Sequence, residues 1–93
     1  NQQEKNYLKQ LSASSWQAKV VKFADILANI SDLKNSELTQ KQKIIQVKYK
    51  IKYFCAIKSG IIENKSKIPH LSEAENSLNL VLDQYDQRKI TLF

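Results

Sequence analysis

Glycine and proline are almost missing from this chain: one of each, Gly60 and Pro69, in 93 residues. That scarcity excludes a collagen-like or low-complexity chain and leaves few places where a helix is forced to stop. A single cysteine, Cys55, excludes an internal disulfide and matches a reducing compartment, so a cytoplasmic protein is expected. Histidine is as scarce: His70 stands alone and cannot build a His-rich metal site. No apolar run approaches the roughly 18 residues that cross a bilayer, and no signal-peptide pattern opens the chain, so no membrane partner is expected. A P-loop, a Gly-rich dinucleotide fingerprint and a Cys/His zinc pattern are all absent.

What is present points to helices. The apolar fraction is 42%, enough for a folded chain, and the length allows one small domain over residues 1–93. Four helical segments follow from periodicity and end signals, with no sustained period-two run that favours a sheet. The first covers Gln2 to Leu11, with Tyr7, Leu8 and Leu11 as its apolar contacts. The second opens at Ser14 or Ser15, where Ser14 and Gln17 form a capping-box pattern, and fades near Lys34. Thr39 and Gln42 open the third, which carries Ile44, Val47, Ile51, Phe54 and Cys55 at helical spacing and stops at Gly60. Ile61 to His70 reads as an irregular connection, and Ser72 with Glu75 caps the fourth helix, striped by Ala74, Leu78, Val81, Leu82 and Tyr85. The expected fold class is all-α, a compact bundle of about four helices.

Charge is unevenly placed. Of the net +6, residues 41–68 carry eight lysines against one acid, whereas residues 69–93 hold Arg88 and Lys89 against four acids. Such a segment attracts polyphosphates or nucleic acid, but a lysine-rich helix face is more often simply solvated. Tyr49, Tyr53 and Phe54 fall among these lysines, partly on the apolar stripe, and no nucleic-acid motif accompanies them. Nucleic acid is therefore not the expected partner.

The segment from Val21 to Leu33 is apolar almost all round, apart from Lys22, Asp25, Asn29 and Asp32. At about 100° per residue these four fall within roughly 80° of one another. A helix greasy on every other side is expected to be buried, with its polar line aimed at a ligand, a metal or a polar partner. Lys22 pairing with Asp25, and Asn29 bonding a nearby backbone, is the alternative use of the same residues.

Val21-Lys22-Phe23-Ala24-Asp25-Ile26-Leu27-Ala28-Asn29 resembles the K-L-A-D-x-x-x-N helix of HD-superfamily metal-dependent phosphohydrolases. The nearest subgroup is the (p)ppGpp hydrolase domain of the alarmone synthetase/hydrolases and their small stand-alone relatives. The segment Tyr49 to Gly60 and the tail Gln87 to Phe93 resemble that subgroup more weakly. The resemblance implies a divalent-metal cofactor, manganese above others, with Asp25 a metal ligand and Asn29 a contact to a nucleotide polyphosphate substrate. It also implies metal-assisted hydrolysis of a phosphate or pyrophosphate ester, with (p)ppGpp the favoured substrate.

The family's His-Asp dyad, its further histidine ligand and its water-activating acids have no counterpart here. His70 is followed by Leu71, and Asp25 lies only 24 residues from Asn1. The expectation is a C-terminal part of an HD domain, inactive alone, whose remaining groups come from a missing N-terminal segment or a second chain. The competing expectation is a non-catalytic helical binding or regulatory module without a metal site.

Overall fold

A computed structural model describes all 93 residues. It is all-α, with four α-helices and two short 3-10 turns arranged in a flat slab of 36 × 34 × 19 Å. Helix α1 spans Gln2–Ala13, α2 Trp16–Ser31, α3 Gln40–Glu63 and α4 Leu71–Gln84. At 24 residues, α3 is the longest helix, about 36 Å by helical rise. Both α1 and α2 pack on it, and α4 closes the core against α2.

The core is one cluster. Phe23, Ile26 and Ile30 of α2, Val47, Phe54, Ile57 and Ile61 of α3, and Leu71, Leu78 and Leu82 of α4 are all buried in it. Phe23 and Phe54 meet with ring centroids 5.1 Å apart at 60°, within the range favoured by aromatic quadrupoles. Helix α1 buries no residue and is held by its neighbours, as a short polar helix must be.

Local end signals hold where nothing distant competes. The Thr39 hydroxyl accepts from the Gln42 amide at 3.2 Å while the Gln42 side chain accepts from the Thr39 amide at 2.9 Å, completing a capping box. Of the two candidate caps for α2, Ser15 is used, accepting from Ala18 N–H at 3.1 Å. The Ser14 hydroxyl instead donates to Leu11 O at 2.7 Å, at the end of α1.

Five expectations are corrected. Gly60 does not end α3: the helix continues to Glu63, and Gly60 is buried without a positive φ. Its missing Cβ makes room for Lys19, whose Cδ would lie 2.6 Å from a β-carbon there. Ser72 is not the cap of α4. His70 is, in a left-handed conformation with φ 60°, and Ile61–Glu63 together with a 3-10 turn at Lys65–Lys67 give the expected irregular connection regular structure. Cys55 is exposed rather than in the core. The second helix is not buried all round: α2 sinks one side, while Val21 is 70% exposed on the other.

The last nine residues form no helix, yet they are tied down. Asn79 of α4 donates to Ile90 O at 2.9 Å and accepts from Ile90 N–H at 2.8 Å, as a neighbouring strand would. Glu75 accepts from Leu92 N–H at 2.6 Å, and Leu92 enters the core. Glu75 therefore serves the tail and not a capping box.

Candidate functional site on the outer line of the second helix

Phe23, Ile26 and Ile30 recur at intervals of three and four residues and anchor α2 to the core. The same periodicity turns Lys22, Asp25 and Asn29 outward along one line, rising about 4.5 and 6 Å between successive residues. The Asp25 side chain is 54% exposed and its carboxylate lies 3.3 Å from Lys22 Nζ. Asn29 is exposed, and its side-chain amide takes part in none of the chain's side-chain hydrogen bonds, unlike its neighbours Asp25 and Asp32. Asp32 accepts from Asn35 Nδ2 at 3.0 Å across the following turn.

Lys22 connects this line to the aromatic corner of the bundle. Its side chain is only 18% exposed, and its ammonium lies 5.4 Å from the Tyr7 ring centroid and 5.6 Å from that of Tyr53. The two rings themselves meet edge to face at 5.4 Å. Burial among the rings pulls the Lys22 ammonium towards neutrality, but the Tyr7 phenol and the Asp25 carboxylate outweigh it and hold the pKa above 10.5. Lys22 is thus a cation wedged between two rings and one acid. Nothing local in the sequence announces this arrangement, because Tyr7 and Tyr53 stand 46 positions apart.

The metal implied by the resemblance can be tested against this donor set. No group of three or more His, Cys, Asp and Glu side chains converges anywhere in the chain. Asp25 is one exposed carboxylate already neutralised by an ammonium. Divalent metals in catalytic sites take three or more protein ligands, or several oxygens. The residues present do not fit a bound metal by themselves.

His70 is no second ligand. It sits exposed at the start of α4, with Nδ1 2.8 Å from the Glu73 carboxylate. On the opposite side of α2 runs a shallow apolar groove of about 140 Å³, floored by Val20, Phe23, Ala24 and Leu27 and walled by Pro69 and Leu71. It places no charged or polar group against Asp25. No family model, curated protein or solved structure matches this chain.

Proposed function

We propose that this chain is the C-terminal portion of an HD-type metal-dependent nucleotide phosphohydrolase, with (p)ppGpp its favoured substrate. The resemblance of Val21 to Leu33 supplies the family. The observation that supports it is the outer line of α2: Asp25 half exposed and the Asn29 side chain with no hydrogen bond of its own, on a helix fixed by the core beneath. The fold spends no bond on the Asn29 side chain, and the Lys22 pairing leaves Asp25 half exposed, so both stay reachable by a partner or substrate. A rigid helix is a suitable mount for groups that must be placed within a fraction of an ångström.

Because one carboxylate does not hold manganese, the other donors in this reading come from residues outside these 93. Turnover is therefore not expected from the chain alone. The test compares Mn²⁺-dependent release of pyrophosphate from ppGpp by this chain and by a polypeptide that adds the segment encoded upstream of Asn1. The longer polypeptide should be active and its Asp25→Asn form inactive. An upstream segment without a His-Asp dyad, or an unimpaired Asp25→Asn enzyme, sinks the reading.

The Lys22–Asp25 pair favours a second reading, a non-catalytic helical binding module in which Asp25 only neutralises a half-buried lysine. In that case Asp25→Asn lowers stability but leaves every activity of the longer polypeptide unchanged.

A further inference from the structure

Between Leu38 and Ile62 the chain contains no acid and six lysines. The helix sorts them. Lys41, Lys48 and Lys52 emerge on the solvent side of α3, while Lys43, Lys50 and Lys58 lie at its flanks and are partly covered. The solvent side also carries Ile45 and Tyr49, each 48% exposed. Tyr49 is thus not part of the buried stripe, contrary to what interleaving with apolar residues suggested. Lys48 and Lys52 are one turn apart, about 6 Å along the axis, and Lys41 lies about 10.5 Å before Lys48.

Most of this charge is unspent. Lys52 pairs with Glu4 of α1, whereas Lys41 and Lys48 have no carboxylate partner. Lys52 Nζ lies 5.8 Å from the Tyr49 ring centroid, and the ring tilts 40° to Tyr53 at 6.4 Å. Tyr49 is therefore a half-exposed ring supported by Tyr53 and Lys52, next in the chain to the unpaired Lys48.

We propose that this outer face of α3 docks single-stranded nucleic acid, with Lys41 and Lys48 on phosphates and Tyr49 under an unpaired base. Charge complementarity selects a polyanion, and the half-exposed ring selects one with flat apolar groups. An acidic helical peptide needs a groove, and none of the three surface openings includes a residue of this face. Duplex bases are stacked on one another and offer no face to Tyr49, whereas unpaired bases stack readily on aromatic side chains. The surface is separate from the Asp25 line, and the inference stands apart from the hydrolase reading.

The test is fluorescence anisotropy of a labelled 20-mer of uridine titrated with the 93-residue chain between 50 and 200 mM salt. Two phosphate contacts give a slope of about −1.4 in log affinity against log salt, a loss of about sevenfold across that range. The double variant Lys41→Gln/Lys48→Gln should flatten the slope by about 1.4. Tyr49→Ala should weaken binding about tenfold at fixed salt without changing the slope, and Tyr49→Phe should restore it. All three positions are solvent-facing, and helicity by circular dichroism confirms that each variant is folded. Absence of saturable binding, an unaffected Tyr49→Ala variant, or equal competition by polyglutamate or phosphatidylserine vesicles at matched charge overturns the proposal.

Discussion

Gly60→Ala is the substitution that most directly tests how this bundle is locked. In an ordinary helix interior, alanine replaces glycine with a gain of about 1 kcal/mol. Here the new methyl would sit 2.6 Å from Lys19 Cδ and 3.0 Å from both Cε and Nζ, so the lysine must move. That lysine is engaged: Nζ donates to Ser12 O at 2.9 Å and Ser14 O at 3.0 Å. Those carbonyls lie at the C-terminal end of α1, where a cation is favoured by the helix dipole. Losing two such bonds, one of them solvent-exposed, costs about 1–2 kcal/mol in all. Gly60→Ala is therefore expected to be neutral, or destabilising by up to about 1 kcal/mol, in the native background. In a Lys19→Ala background the obstacle is gone, and the same change should stabilise by about 1 kcal/mol. Urea unfolding of the four proteins, followed by circular dichroism at constant m-value, gives a coupling energy of about 1–2 kcal/mol. Additivity of the two changes, with Gly60→Ala stabilising in both backgrounds, refutes the close approach as the reason for glycine.

Three further outcomes follow from contacts remote in sequence. Leu92→Ala empties a fully buried site and should cost about 2–5 kcal/mol, while Asn79→Ala should release the tail, seen as faster amide hydrogen exchange at Ile90; unchanged exchange there rejects the Asn79 clamp. The hydrogen bond from Lys52 holds the Glu4 carboxyl below its ordinary 4.5, against a smaller opposing effect of desolvation. A depressed acid contributes stability above its unfolded pKa and loses it as pH falls through the folded one. Acid titration of the unfolding midpoint should accordingly fall less steeply below about pH 4.5 for Glu4→Gln than for the native chain; superimposable acid limbs would show the pair to be inconsequential.

The helical class, four segments and the capping box at Thr39 were legible because they depend on residues within a turn or two of each other. Alternation at three and four residues already separated Phe23 and Ile30 from Asp25 and Asn29. What it left open was whether the polar line would face the core or solvent, since that depends on which neighbour packs where. The sequence alone determined that Lys22, Asp25 and Asn29 share one helix line and that the basic charge is concentrated in residues 41–68. Only the tertiary structure decided the rest. Gly60 looked like a helix stop because glycine ends many helices, but the long side chain of Lys19 from another helix required its empty space. Ser72 and Glu75 had the spacing of a cap, yet Glu75 is engaged by Leu92, seventeen residues away. Tyr7, Lys22 and Tyr53 meet only because three helices converge, so no local pattern could encode their contact. Local chemistry fixes where a helix can form and which side chains share a face. Which face is covered, and by what, depends on contacts between residues far apart in the chain.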